Sequence, residues 1–209
     1  MDSFLTLAMS EAKPGQGEFT VVAGKENSGI LAPIYLEKSE ITSCDGSIYW
    51  DIGSVTRADV VKYIPKNTDT KNVGYKANHP EVIKKYDEYE LKNFLLDRVG
   101  SYESFKSNQA RFIIVKVKEV KNFNVAVING TLKCRMDVVL TGSNDSVSLL
   151  NKDYRWVTYW QHVSDEEKEV CVNRYMTLLN RTDKTLFLIL YKHYYSNGPA
   201  HWIAGMHLL

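Results

Sequence analysis

Nothing in these 209 residues approaches the roughly 20 consecutive apolar residues that a membrane-spanning helix needs. Cysteine is scarce. Cys44, Cys134 and Cys171 stand far apart, are odd in number, and form neither a CxxC pair nor a disulfide framework. Reduced thiols and a cytoplasmic setting are the expectation. The opening run from Met1 to Ser10 has an acidic start, and Thr6 breaks its short apolar stretch, so it does not read as a signal peptide. The sequons at Asn129, Asn144 and Asn180 therefore carry no expectation of glycosylation. An excess of charge is missing as well: 26 basic side chains face 25 acidic ones, a formal net charge of +1. Such a balance excludes a uniformly basic nucleic-acid-coating surface and leaves room only for a local patch.

Catalytic and cofactor signatures are equally sparse. Gly15-Gln16-Gly17 lacks the third glycine, the Lys-Ser/Thr and the strand-to-helix setting of a phosphate loop, and reads as a linker. There is no Gly-x-Ser-x-Gly elbow and no protease-like cysteine signature. No cofactor and no metal are expected. His193, His201 and His207 cluster near the C-terminus, but a turn at 196–199 would put His193 and His201 on opposite faces. His201 and His207 share a face yet stand roughly 20 Å apart along a strand. Should the chain be an enzyme of hydrolase type, its site must be assembled from dispersed residues, with His201, His207, His162 and Cys171 as candidates. Asp87-Glu88 and Asp165-Glu166-Glu167 fall at surface positions of helices, where solvation and the helix dipole account for them.

What is present is β-forming sequence. Residues 1–17 read as an N-terminal arm and linker, and 18–209 as a single mixed domain with a sub-boundary near 100–110. Short β-like runs at 19–23, 30–36 and 47–52 are bounded by Gly, Asn, Ser or Asp, and Pro33 marks an edge or a bulge. Thr56 with Asp59 has capping-box spacing and predicts a short helix that Pro65 stops. Pro80 at a first-turn position predicts a long helix over about 80–99. Ser164-Asp-Glu-Glu predicts a second over about 164–181. Residues 154–160 alternate as a strand, and 185–191 form a continuous apolar run suited to a strand covered on both faces.

The sharpest local signal is Asn129-Gly130 between two alternating segments. Both central residues of a type I′ turn need positive φ, which Asn and Gly supply. With that turn, Val127 faces Leu132, Val125 faces Cys134 and Phe123 faces Met136, all apolar and on one side. Ala126 with Lys133, Asn124 with Arg135 and Asn122 with Asp137 take the other side. A one-residue slip would scramble both faces. Cys134 is thereby a buried structural thiol.

The fold class expected is α+β and β-dominated: an antiparallel sheet or sandwich with two helices. Thirteen tyrosines and four tryptophans exceed an ordinary core's needs. They suggest a non-enzymatic structural or interaction protein that self-associates through aromatic β surfaces, of coat, matrix or crystal-forming type, hence a homo-oligomer. The alternatives are the dispersed-site enzyme and a module binding single-stranded RNA or a small ligand. For nucleic acid the candidates are Arg111, Lys116, Lys118 and Lys121 on one strand, with Phe112 and Tyr102 nearby.

Overall fold

The structure is a computed structural model and describes residues 1–11, 17–42, 46, 48–66 and 68–209. Cys44, Ser47 and most of the expected linker, including Gly15-Gln16, lie outside the described residues. The chain divides into two compact units, residues 1–98 with 192–200 and residues 99–191 with 201–209. The strand-dominated α+β composition is as expected. The sheets do not stay open or stack as a sandwich; they close into two five-stranded barrels.

The first barrel comprises β1 (Asp2–Glu11), β2 (Glu18–Lys25), β3 (Leu31–Glu37), β4 (Ser54–Tyr63) and β5 (Gly74–Lys85). β1 pairs antiparallel with β2 and, across the closure, with β4. β2 pairs with β3, β3 runs parallel to β5, and β4 and β5 form an antiparallel pair. The segment expected as an arm is thus a structural strand, with Phe4, Leu5, Leu7 and Ala8 buried. Its apolar residues are packed against neighbouring strands, which a frayed tail would not allow.

Three further expectations change here. The segment 56–64, read as a capped helix, falls on β4 as far as Tyr63, because Val55, Thr56 and Ala58 are buried while Arg57 points outward. The valine spacing fits both periods, and pairing to β1 and β5 decides between them. The run at 48–52 makes only an isolated bridge, Thr42 with Ile48, followed by a turn. Pro80 does not start a helix. It lies inside β5 at a register shift where the β4 partner changes from Asn78 to Glu81, and His79 before it takes φ of 50°. A bulge removes the ladder position whose N–H proline cannot supply. The helix expected from residue 80 begins eight positions later as α1 (Glu88–Leu96), with Asp87 and Glu90 forming a reciprocal capping box.

The second unit contains α2 (Tyr102–Ser107), β6 (Phe112–Ile128), β7 (Thr131–Leu140), β8 (Ser146–Asn151), α3 (Tyr154–Gln161), α4 (Asp165–Leu179) and the greater part of β9 (Leu186–Tyr195) and β10 (Gly198–Leu208), whose residues 192–195 and 198–200 are counted with the first unit. The β6–β7 register matches the expected one pair for pair from Asn122–Asp137 to Ile128–Thr131. Asn129 and Gly130 take φ of 52° and 71°. Residues 154–160 are a helix rather than a strand. Asp153 caps it by accepting from the Arg155 N–H, and Trp156 and Trp160, one turn apart, supply the inward stripe. The expected second helix is α4, and the apolar run at 185–191 is β9.

The second barrel repeats the strand order of the first. β6 pairs with β7 and closes on β9, β7 pairs with β8, and β8 runs parallel to β10. A five-stranded Greek-key barrel so connected has OB-type architecture. The core of this unit gathers Val115, Val117, Phe123, Met136, Leu188 and Ile203, with Trp160 laid across it from α3. Each large apolar side chain buried in this way contributes about 1.5–3 kcal/mol. Asn180, at the end of α4, completes the backbone of Val120 beside a β6 register shift. Its amide donates to the Val120 carbonyl at 2.9 Å and its oxygen accepts the Val120 N–H at 2.8 Å.

Candidate nucleic-acid interface

Alternation assigns the outer face of the second barrel. Cys134, Met136, Val138, Leu149 and Ile203 point into the core. Lys133, Arg135 and Asp137 on β7, Ser148 and Leu150 on β8, and Trp202 on β10 therefore point outward. Arg135 pairs with Leu150, and Leu150 with Trp202, so these positions run side by side across three strands. Lys152, just past β8, is anchored by its backbone N–H to the Ile203 carbonyl at 2.8 Å. Its ammonium lies 4.0 Å above the centre of the Trp202 ring. Burial, and then the neighbouring charge of Lys133, push Lys152 down to about 8.

The row continues past Trp202. Its ring meets Tyr191 edge-on at 4.9 Å, and Tyr191 stacks on Phe112 at 4.8 Å. Arg111 lies over Tyr191 at 5.0 Å and donates to the tyrosine hydroxyl. The outcome is a band of rings with a guanidinium at one end and three cations at the other. Trp202, Tyr191 and Phe112 are each buried. They back the cations, of which Arg135 is exposed and Lys133 and Lys152 are half-buried. Arg135 reaches the Ser148 hydroxyl at 3.3 Å, and Asp137 accepts from Asn122 at 3.3 Å. Among the described residues, Lys133, Arg135 and Lys152 make no ion pair with a carboxylate.

The residues expected for nucleic acid scatter over this geometry. Arg111 joins the band. Lys116 faces outward from β6 beside the Phe187 position of β9, and Lys118 is exposed at a register shift. Lys121 is held by Glu119 at 2.7 Å. Sequence reasoning did not propose Lys133, Arg135 and Lys152. The signal for the first two was the polar face of the Asn129-Gly130 hairpin, and Lys152 needed the β8–β10 pairing, which joins residues about 50 apart.

The dispersed-site candidates lie on different elements. His201 is half-buried on β10, its Nδ1 3.3 Å from the Tyr102 hydroxyl and its ring 5.1 Å from Phe105. His207 is buried further along β10. His162 is exposed at the end of α3. Cys171, half-buried on α4, accepts the Tyr159 hydroxyl at 3.7 Å. That bond, then one to Tyr175, holds the Tyr159 phenol above its ordinary range. Cys134 is buried in the core and its thiol is pushed up to about 12, so it is not a thiolate near neutrality. Among the described residues no three His, Cys, Asp or Glu converge as metal ligands. No helix among them is long and apolar enough to cross a membrane.

Part of the aromatic surplus packs within the second unit. Phe123 lies against Trp156 and Trp160, and Tyr175 against Trp156, Tyr159 and Trp160, with centroids 4.7–5.8 Å apart. These rings belong to the packing of α3 and α4 on the second barrel.

No family model matches the chain, and no curated protein matches it. Among solved structures, one similar to it is a replication protein A heterotrimer bound to ssDNA. That match has 10% identity and a TM-score of 0.42 and covers 99% of this chain. The chain spans about half, 48%, of the length of that one. Another is the Ifi202 HINa domain in complex with 20 bp dsDNA, at 8% identity and TM-score 0.37, covering 99% of this chain and 93% of that one. Likenesses this distant add nothing to the strand order, which stands on this chain's own pairing.

Proposed function

We propose that the second barrel binds single-stranded nucleic acid across the outer face of β7, β8 and β10, with Lys133, Arg135 and Lys152 contacting phosphates. The observation that carries this reading is the grouping of Lys133, Arg135 and Lys152 on and beside one strand face with no carboxylate partner among the described residues, Lys133 standing close enough to Lys152 to add to the lowering that burial causes. Clustering like charges costs free energy, and a polyanion offsets it by releasing its counterions. OB-type barrels commonly use the face of their second and third strands for oligonucleotides, a fold-level analogy that agrees with the local charge. Arg111 extends the track past the buried rings. A near-neutral chain can bind in this way because three basic groups are concentrated here against one carboxylate, Asp137, which is engaged by Asn122.

Fluorescence anisotropy with labelled oligo(U) and oligo(dT), titrated over a range of salt, tests the reading. Each single-strand phosphate contact contributes about 0.7 to the log–log salt slope, so replacing all three cations with alanine flattens it by about 2. Affinity near 0.1 M salt falls by about tenfold or more in the same variant. Equal affinity and slope in wild type and variant would dismiss this face, and no wild-type binding at low salt would dismiss the function.

A further inference from the structure

The second unit also holds a cavity of about 300 Å³, bounded by α3, α4, β9 and β10 and distinct from the cationic face. Its walls are Trp156, Tyr175, Leu178, Leu186, Met206 and Leu208. A volume of this size is at the lower end of small-ligand pockets, and an apolar wall with a few fixed polar groups is their usual construction. The polar groups are Arg155 and Tyr159. They lie four residues apart on α3, which sets them on one face of the helix, one turn apart.

Arg155 is fixed before any ligand arrives. Its Nε and Nη2 donate to the Asp153 carboxylate at 3.2 and 2.8 Å, and Nη2 also donates to the Met206 carbonyl at 2.8 Å. Asp153 is fully buried, and it accepts the Arg155 and Met206 backbone N–H groups at 3.0 and 2.9 Å. Those four bonds occupy the carboxylate and orient the guanidinium, whose Nη1 remains for another acceptor. Tyr159 adds a phenolic hydroxyl whose present partners are the Cys171 sulfur, at 3.7 Å, and Tyr175. Two donors above an apolar chamber match an acceptor headgroup on an apolar body. The rings do not form a cage for a quaternary ammonium, since Tyr175 packs directly against Trp156 and Tyr159 at 4.7 and 5.3 Å.

We infer that this cavity is a site for an amphipathic carboxylate of the fatty-acid class, its chain against the leucines and Met206 and its carboxylate at Arg155 Nη1 and the Tyr159 hydroxyl. The site stands independently of the nucleic-acid reading, because none of its residues lies on the cationic face. A charge-assisted bond from a guanidinium already held in place loses little side-chain freedom on binding.

Calorimetry with monomeric decanoate, decanol and decyltrimethylammonium, each below its micelle concentration, provides the test. Decanoate binds saturably at one site, decanol at least about tenfold more weakly, and the ammonium not at all. Leu178→Trp, at a partly exposed position on the rim, fills the chamber and abolishes decanoate binding while oligonucleotide binding is unchanged. Tyr159→Phe weakens decanoate severalfold and leaves decanol as it was. The inference is overturned if decanol binds as tightly as decanoate, if wild type shows no saturable binding, or if Leu178→Trp binds like wild type with its fold intact by circular dichroism.

Discussion

The two barrels share one strand order and differ in what their second and third strands show to the outside. In the first barrel, β2 is buried on both faces over six consecutive residues, and β3 is nearly so. In the second, β7 alternates, with Cys134 and Met136 inward and Arg135 exposed between them. The sequences say as much: Phe-Thr-Val-Val-Ala-Gly in β2 against Leu-Lys-Cys-Arg-Met-Asp in β7. Part of the cover on β2 is α1, whose Phe94 ring rests against Gly24 so closely that a Cβ there would stand 2.7 Å from it. One topology thus yields a closed face in one barrel and an open, charged face in the other. The open face is therefore where the function is sought.

The connection between the third and fourth strands differs as well. In the second barrel it carries α3 and α4, pinned by the buried Asp153; in the first, the described residues include a 3-10 turn at Lys38–Glu40 and the buried Trp50. The largest expected effect follows from that contrast. Asp153→Ala removes the acceptor for two backbone N–H groups and for Arg155. It should cost about 3 kcal/mol, read as a lowered denaturant midpoint, with hydrogen-exchange protection lost in β6–β10 and largely kept in β1–β5. Uniform loss through both barrels would show that the contrast does not extend to stability.

A smaller effect tests the covered face of the first barrel. Gly24→Ala forces the Phe94 ring to move and should cost about 1–3 kcal/mol, the range for overpacking, with protection falling in β1–β3 and α1. Gly130→Ala has open space around its Cβ, so only its positive φ counts, and about 1 kcal/mol is expected. A larger loss at Gly130 than at Gly24 would invert the reading of which site is crowded.

The subtlest effect is one of pH on the open face. Lys152 is held at about 8 in the folded chain against an ordinary 10.5, so between those values the unfolded chain carries more protons. Stability from this group therefore rises with pH across that window. Its charge, present below about pH 8, is lost above it, and oligonucleotide affinity should fall over the same rise. Lys152→Met flattens both trends. Urea midpoints and anisotropy measured between about pH 7 and 10 check the pair.

How much of this was legible in the sequence depended on whether the deciding interaction was local. The hairpin at Asn129-Gly130 was read correctly because turn chemistry and alternation act within about 15 residues and agree. The helix of α4 was legible from its acidic first turn. Residues 56–64 were not, because Val60, Val61 and Ile64 suit either period and only pairing with β1 and β5 settles the matter. Nor were 154–160, where alternating aromatics imitate a strand, while the cap at Asp153 and the pair Trp156–Trp160 make a helix. The cationic face was half legible: Lys133 and Arg135 were placed together on the hairpin's polar side, but the partner strand that brings Lys152 and Trp202 beside them is remote.

The closure of each barrel has a consequence for the order of assembly. The β6–β7 hairpin brings together neighbours in the chain, and hairpins of that kind form in microseconds. The seams do not: β1 must find β4 across about 50 residues and β6 must find β9 across about 70. Such long-range pairings pay for loop closure before any contact compensates, so they come late and set the folding rate. Until β9 arrives, the apolar run from Leu186 to Tyr191 has no partner and is the stretch of nascent chain most in need of protection from other chains.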